Sequence, residues 1–188
     1  MKRAAAFIDG LNLFHALEHQ ELDGLTLDLV GICRYLAVQR GSLLVDIHYF
    51  SSIVSHFGSE FKSKQALYLE KLSDQRVQIH LGEFRSVKSR CPECKSFFWN
   101  QTEKQTDVAL ASEMVLQALV AGLDEIFIFS ADSDFLAAVS RIRRHRPGVA
   151  ITVISTVRYL RPLHGSLVRL GVRTIRLSPE LANKFALI

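Results

Sequence analysis

The sequence predicts a protein of the α/β class, with a mostly parallel sheet covered by helices on both faces. Short apolar runs alternate with helical patterns along the whole chain, which is typical of strands that are buried on both sides. The chain has 188 residues, enough for one well-buried domain and hardly for two. Its content of 48% hydrophobic and 22% charged residues excludes collagen-like and wholly disordered chains. We therefore expect a single domain over residues 1–178, followed by a terminal helix or tail over 179–188.

The first half of the chain predicts three strands and three helices. The strands are short apolar runs or alternate between apolar and polar side chains, whereas the helices repeat their apolar residues with a helical period. Gly41 follows the second helix as a stop signal. In chain order the predicted elements are a strand at 4–8, a helix at 13–18, a helix at 27–40, a strand at 43–51, a helix at 59–72 and a strand at 75–84.

The second half opens with an insertion at about 85–101 that breaks this rhythm. Regularity returns at Glu103, where an apolar helical face begins. The predicted elements are then a helix at 103–121, a strand at 126–129, a loop at 130–134, a helix at 135–145, a strand at 149–154, a helix at 161–170 and a strand at 172–176.

Charge is segregated along the chain. Residues 1–134 hold 13 basic and 18 acidic side chains, whereas residues 135–188 hold ten basic side chains and one acid. A surface of this kind attracts a polyanion, and arginine suits bidentate phosphate contacts and stacking on bases. The alternative is a solvated basic face that keeps the protein soluble. The candidate RNA-binding residues are Arg141, Arg143, Arg144, Arg146, Arg158 and Arg161.

Neither a membrane span nor a secretion signal is evident. No stretch approaches the roughly 18 uninterrupted apolar residues of a transmembrane helix. The apolar N-terminal segment meets Asp9 too early for a signal peptide. Three cysteines, an odd number, are not typical of a secreted disulfide framework. We therefore expect a cytoplasmic protein that does not associate with membranes.

Acidic residues directly follow two of the predicted strands. Asp9 comes after the first strand, and Asp132 and Asp134 come after the fourth. Ligands of open α/β sheets collect at the carboxyl ends of strands, so neighbouring strands would bring these carboxylates into one crevice. Such a cluster persists at neutral pH when a cation neutralises it, and carboxylate oxygens suit Mg²⁺ or Mn²⁺. Alternatively, Asp132 or Asp134 caps the following helix and Asn12 caps the first one.

A fourth acid, Asp107, lies beside the apolar face of the helix predicted at 103–121. It either joins the other carboxylates or merely complements the helix dipole. Lys104, in the same predicted first turns, either contacts a phosphate near the site or is simply solvated.

The acidic candidates lie in three short blocks: FIDGLNL at 7–13, EKQTDV at 103–108 and FSADSDF at 129–135. In order and spacing these blocks resemble the signature of the NYN domain family, the LabA-like branch of PIN-like nucleases, over about residues 3–176. The resemblance implies a Rossmann-like, PIN-like sheet, a site dependent on Mg²⁺ or Mn²⁺, and cleavage of RNA. By this resemblance the site residues are Asp9, Asp107, Asp132 and Asp134, with Asn12 organising the site and Ser130 supporting it.

The insertion contains the motif Cys91-Pro92-Glu93-Cys94. This spacing is that of half a zinc site. Reduced loop thiols are an equal alternative, and a redox pair fits poorly because the motif does not follow a strand and open a helix. Further zinc ligands would have to be His80, His48, Cys33 or the same pair of a second subunit.

Three aromatic residues follow the cysteine pair: Phe97, Phe98 and Trp99. They are either local core or a platform on which nucleic acid bases stack. We expect at least two of them to belong to the core.

The function expected from these observations is that of a metal-dependent endoribonuclease. A metal held by carboxylates activates water and neutralises the charge that develops on the phosphate, and no nucleophilic side chain is needed. The RNA, single-stranded or structured, would lie along the arginine-rich half. One alternative is a catalytically inactive RNA-binding or protein-interaction module with the same fold. Another is a metal-dependent phosphatase for small phosphoesters, which needs no arginine-rich face. A homodimer is compatible with each of them.

Overall fold

Strands and helices alternate along the chain in the computed structural model, which describes residues 1–18, 26–53 and 59–187. The strands are β1 (Lys2–Asp9), β2 (Thr26–Leu27), β3 (Ser42–Ser52), β4 (Gln78–Arg90), β5 (Phe97–Lys104), β6 (Glu125–Phe129), β7 (Ala150–Ser155), β8 (Arg173–Arg176) and β9 (Ala186–Leu187). The helices are α1 (Gly10–Glu18), α2 (Leu29–Gln39), α3 (Ser59–Asp74), α4 (Thr106–Val120), α5 (Phe135–His145), α6 (Val157–Arg169) and α7 (Pro179–Lys184). None of the described helices is long and apolar enough to cross a membrane.

Seven strands form one sheet in the order β5-β4-β3-β1-β6-β7-β8. All neighbouring pairs are parallel except β4 and β5, which form an antiparallel hairpin at one edge. Strand β1 lies between β3 and β6. The strands that follow β1 are added first on one side of it and then, from β6 onward, on the other side. The predicted α/β fold with a mostly parallel sheet is confirmed.

Two hydrophobic cores lie on opposite faces of the sheet. Helices α1, α2, α3 and α7 contribute to one core, and helices α4, α5 and α6 contribute to the other. Strand β6 supplies both, because Phe127 and Phe129 belong to the first core and Ile126 and Ile128 to the second. Its five residues are all buried, which explains the uninterrupted apolar run in the sequence.

The sequence predicts an irregular insertion at 85–101. In the structure this segment is instead most of a β-hairpin. β4 and β5 pair from Glu83 with Lys104 to Arg90 with Phe97. Most side chains on both faces of this hairpin are exposed, so the sequence carries no alternation between buried and exposed residues to reveal the strands. The expectation that at least two of Phe97, Phe98 and Trp99 are core is also wrong, because all three are exposed.

Several helix boundaries differ from those predicted, and two of them change the setting of candidate site residues. Helix α4 begins at Thr106 and not at Glu103, because β5 continues to Lys104 and Gln105 turns the chain with a left-handed φ of 83°. Lys104 is therefore the end of a strand, not part of a first helical turn. Helix α6 begins at Val157, four residues before the predicted start, and Pro162 lies inside it.

The C-terminal segment packs onto the domain as a helix and not as a tail. Ser178 caps α7 by accepting a hydrogen bond from the Leu181 N–H at 3.3 Å, and Ala182 is buried in the first core. The carbonyl oxygen of Phe185 then accepts a hydrogen bond from the Asp28 N–H at 2.7 Å. β9 pairs with β2 in a separate two-stranded sheet.

Candidate active site

Acidic residues from the end of β1 and from the loop after β6 lie at the carboxyl edge of the sheet. The strands are parallel neighbours, with Ile8 opposite Phe129. Asp9 is the last residue of β1, and Asp132 and Asp134 lie in the loop between β6 and α5. Convergence of these acids required the two strands to be neighbours, and they are adjacent, so the topology brings these segments to one edge of the sheet.

Asp9 accepts hydrogen bonds from the first turn of α1 and from the loop after β6. Its Oδ1 atom accepts a hydrogen bond from the Asn12 N–H at 3.0 Å, in the first turn of α1. Its Oδ2 atom accepts one from the Ser130 hydroxyl at 3.0 Å, across the gap between β1 and β6. The Ser130 hydroxyl in turn accepts the Asp132 N–H at 3.2 Å. The carboxylate of Asp9 is therefore fixed in orientation from two sides.

Asn12 bridges the same gap and does not cap its helix with its side chain. Its amide oxygen accepts a hydrogen bond from the Ala131 N–H at 3.1 Å. Asp134, the N-cap residue of α5, makes no side-chain capping bond, and its N–H donates to Asp132 Oδ1 at 2.9 Å. Capping therefore does not account for the side chains of Asn12 and Asp134.

Glu103 is a member of the site that the sequence did not reveal as a candidate. Its Oε1 atom accepts hydrogen bonds from the hydroxyls of Ser52, at 2.8 Å, and of Thr106. These bonds tie the end of β5 to the end of β3 and to the start of α4. The block at 103–108 contained the signal, but assigning Glu103 to a helix hid its position at a strand end.

Burial and the charges of neighbouring acids raise the pKa values of Asp9 and Asp107. Burial is the main cause that raises the pKa of Asp9 to about 6, and the charges of Asp107 and Glu103 raise it further. The hydrogen bonds from Asn12 and Ser130 lower it, without cancelling the burial. For Asp107 too, burial raises the pKa, followed by the charges of Asp132, Glu103 and Asp134. Charge repulsion therefore links Asp107 to Asp9 on one side and to Asp132, Glu103 and Asp134 on the other.

The donor set suits a hard divalent cation, which relieves such repulsion. Within residues 1–18, 26–53 and 59–187, however, no three His, Cys, Asp or Glu side chains lie close enough together to hold a metal ion. A fully enclosed protein cage is therefore not formed by the described residues. The arrangement fits an ion such as Mg²⁺, which keeps several waters and takes only one or two carboxylates.

Comparison with known proteins identifies the family. A family model described as the NYN domain matches residues 3–166. The chain belongs to the NYN domain family. This membership agrees with the PIN-like architecture of the sheet, and NYN domains in general are assigned to the PIN-like nucleases.

A solved structure has the same fold as this NYN domain. It is the crystal structure of a protein of unknown function from Vibrio parahaemolyticus, with a TM-score of 0.65 and 18% sequence identity. The similarity covers 99% of this chain and 96% of that chain. At this identity the likeness concerns the fold alone. No curated protein matches the chain in sequence.

The predicted arginine face of the NYN domain divides into two groups. In the first, Arg143 donates hydrogen bonds to the carbonyl oxygens of Leu170, at 3.0 Å, and Gly171, at 2.7 Å. Arg146 donates to two backbone carbonyls at the end of α4 and in the turn that follows. Arg144 is exposed near the C-terminal end of α5, at the edge of the sheet opposite the acids. Two of these three arginines thus stabilise the fold directly.

The second group lies nearer to the acidic residues. Arg158 and Arg161 are exposed in the first two turns of α6, which starts directly after β7 at the carboxyl edge of the sheet. Arg141 lines a groove between α4 and α5 together with Asp107 and Asp134. Basic side chains therefore flank the acidic cluster on the side of α5 and α6.

The cysteine pair lies at the turn of the β4–β5 hairpin. Cys94 is exposed, and its thiol is 2.8 Å from the Ser96 hydroxyl, which lowers the pKa of Cys94 to about 7. The described part of the chain supplies no third ligand beside the pair. Zinc at Cys91 and Cys94 therefore has no support from the structure of one chain.

Proposed function

We propose that this NYN domain is a metal-dependent endoribonuclease that hydrolyses RNA phosphodiester bonds at the cluster of Asp9, Glu103, Asp107, Asp132 and Asp134. The observation that carries this proposal is the position of Asp9 at the end of β1, where it is hydrogen-bonded to Ser130 after β6 and lies near enough to Asp107 and Glu103 for their charges to raise its pKa. Burying a carboxylate next to other carboxylates destabilises the folded protein, so stability does not explain this arrangement. Perturbed acids grouped at the carboxyl edge of a parallel sheet are typical of functional sites.

The cation would be Mg²⁺ or Mn²⁺, held by Asp9, Asp107 and Asp132 directly or through water, with Asp134 as a further ligand or as a group that positions water. When bound, such an ion activates water and neutralises charge on the phosphate oxygens. Asp9 is the central ligand because its two hydrogen bonds, from Asn12 and Ser130, orient the carboxylate before any ion arrives.

The substrate would approach from the basic flank of the site. Arg158 and Arg161 at the start of α6, and Arg141 beside the groove, would bind phosphates of the strand whose scissile bond lies over the acids. Arg143 and Arg146 are left out of this surface because their guanidinium groups bond to the backbone. Lys104, exposed at the end of β5 next to Glu103, would contact a phosphate near the site.

A catalytically inactive RNA-binding or protein-interaction module remains the second candidate. Two observations favour it: both oxygens of Asp9 already accept hydrogen bonds, and no three His, Cys, Asp or Glu side chains in the described ranges lie close enough together to hold a metal ion. Such a module would retain the basic flank and the fold without turnover.

Cleavage of a generic RNA distinguishes the two candidates. The wild-type protein should cut the RNA with Mg²⁺ or Mn²⁺ and not with EDTA. Asp9→Asn and Asp132→Asn should each lower the cleavage rate by at least about 100-fold and leave RNA binding intact. Asp74→Asn, at the exposed end of α3, is the matched control and should cleave like the wild type. Undiminished cleavage by both site variants would refute the assignment of the site.

A further inference from the structure

The outer part of the β4–β5 hairpin exposes large aromatic side chains to solvent. Phe97 is 63% exposed, Phe98 49% and Trp99 69%. Exposed aromatic residues in this number are unusual on a soluble surface and are typical of a binding site. Four basic residues and one acid lie between Phe84 and Thr102, so the same part of the hairpin is positively charged.

The strand register sorts these side chains onto two faces. In an antiparallel pair, residues directly opposite each other share a face. Arg90 is opposite Phe97 and Lys88 is opposite Trp99. We call this set of four residues the aromatic face. The other face carries Phe98.

The basic groups of the aromatic face lie against its rings. Lys88 Nζ is 4.4 Å from the centre of the Phe97 ring, and the Arg90 guanidinium carbon is 5.7 Å from it. Ring surfaces and cations therefore alternate within one strip. Bases that stack on rings while their phosphates meet cations require this combination.

The aromatic face is continuous with the acidic cluster. Side chains on one face of a strand are two residues apart, so Phe97, Trp99, residue 101 and Glu103 follow one another along β5. Glu103 points into the site, where Ser52 binds its carboxylate. At the rise of an extended strand, Trp99 lies about 14 Å along the chain from Glu103. A short single-stranded oligonucleotide spans this distance.

We propose that the aromatic face binds single-stranded RNA, stacking unpaired bases on Trp99 and Phe97 and binding phosphates with Lys88 and Arg90. The inference deepens the proposed nuclease function. It rests on that function for the path of the bound RNA, which runs from the hairpin toward the acidic residues. Single strands are the matching substrate, because bases within a duplex have no free ring surface for an aromatic side chain. The hairpin lies on the side of the site away from α6, and there it selects unpaired RNA.

The sequence offers a direct probe, since Trp99 is the only tryptophan of the chain. The Asp9→Asn protein is titrated with a ten-nucleotide oligouridine in EDTA, so that no cleavage occurs, and Trp99 fluorescence is recorded. We expect saturable quenching that weakens with salt. Phe97→Ala should weaken binding by about 5-fold or more, and Lys88→Ala should weaken it in the same direction. Phe98→Ala is the matched control, on the opposite face of the same strand, and should bind like the parent.

Several outcomes would overturn the inference. They are absence of quenching, equal losses for Phe97→Ala and Phe98→Ala, and equal quenching by a double-stranded RNA. A dimer of the free protein that dissociates on Phe97→Ala would assign the aromatic face to a second copy of the chain instead. Each variant is checked by its circular dichroism melt, and Trp99→Leu, followed with a labelled oligonucleotide, tests the same face independently of fluorescence.

The experiment separates this inference from the proposed catalysis. Quenching in EDTA with no cleavage by the wild-type protein in Mn²⁺ would refute the nuclease and retain the RNA-binding face. Cleavage that is unaffected by Phe97→Ala and Trp99→Leu, in rate and in KM, would retain the nuclease and refute the aromatic face.

Discussion

The amide oxygen of Asn12 accepts a hydrogen bond from the Ala131 N–H at 3.1 Å. Asn12 lies in the first turn of α1 and Ala131 in the loop after β6, and the bond closes the gap between these two segments. The backbone N–H of Asn12 also donates to Asp9 at 3.0 Å. Asn12 therefore fixes both the distance between α1 and the loop after β6 and the orientation of the Asp9 carboxylate.

Replacing Asn12 with alanine should impair catalysis more than RNA binding. The Ala131 N–H loses its partner, which costs about 1 kcal/mol of stability, and the loop that carries Asp132 is no longer tied to α1. For a domain of this size the melting temperature should fall by roughly 2–4 °C. Calorimetry and cleavage assays measure the two effects. Asn183→Ala, exposed on α7, is the control. Cleavage by Asn12→Ala at the wild-type rate would contradict a positioning role.

Asp9→Asn should make the metal-free protein more stable, and only above a certain pH. The folded-state pKa of Asp9 is raised from 3.8 to about 6, so the wild-type protein loses stability as the pH rises through this window and the carboxyl ionises. Asparagine has no such ionisation; its Oδ1 atom can accept the Asn12 N–H as before, and its Nδ2 amide then donates to the Ser130 hydroxyl oxygen, which reverses that hydrogen bond. The variant's advantage should grow from near zero at about pH 4 to as much as about 3 kcal/mol at neutral pH. Urea unfolding in EDTA at several pH values measures it, and a variant that is less stable at every pH would contradict the account.

The sequence predicted the central part of the fold because β1 and β6 are buried on both faces. Such strands appear in the sequence as apolar runs. Asp9, at the end of β1, and Asp132, shortly after β6, mark where these runs stop. The sequence does not predict the adjacency of β1 and β6; it predicts only that their acids converge if the strands are neighbours. The hairpin was missed because strands exposed on both faces leave no hydrophobic period.

The same physical reason explains the errors within the site. The sequence predicts a helix at Glu103 because an apolar helical face follows it, whereas the left-handed turn at Gln105 is a backbone property without a sequence signal of its own. Composition identified a basic half of the chain, but not which arginines are engaged internally. Only the structure shows that Arg143 binds carbonyl oxygens while Arg161 is exposed.

Gly82→Ala should disturb the segment from Glu103 to Thr106. A Cβ atom at Gly82 would lie 2.5 Å from the carbonyl oxygen of Lys104, which belongs to the backbone and must shift to make room. We expect a loss of about 1–3 kcal/mol in the free energy of unfolding and a lower cleavage rate, because Glu103 moves with its neighbour. Gly148→Ala is the matched control, since no atom lies within 4 Å of a Cβ there. Equal stability of the two variants in urea unfolding would show that the hairpin yields without cost.

Neutralising Arg158 and Arg161 should weaken RNA binding in a way that depends on salt. Both are exposed at the start of α6, on the edge of the sheet that carries the acids. Each lost phosphate contact lowers the slope of log affinity against log salt by roughly 0.7 for a single strand, so Arg158→Gln with Arg161→Gln should lower it by about 1.4. Fluorescence anisotropy of a labelled oligonucleotide over a range of KCl concentrations measures this slope. Arg34→Gln changes the charge equally but lies on α2, across the sheet, and should leave the slope unchanged. Equal slopes for the double variant and the Arg34 control would place the RNA elsewhere on the domain.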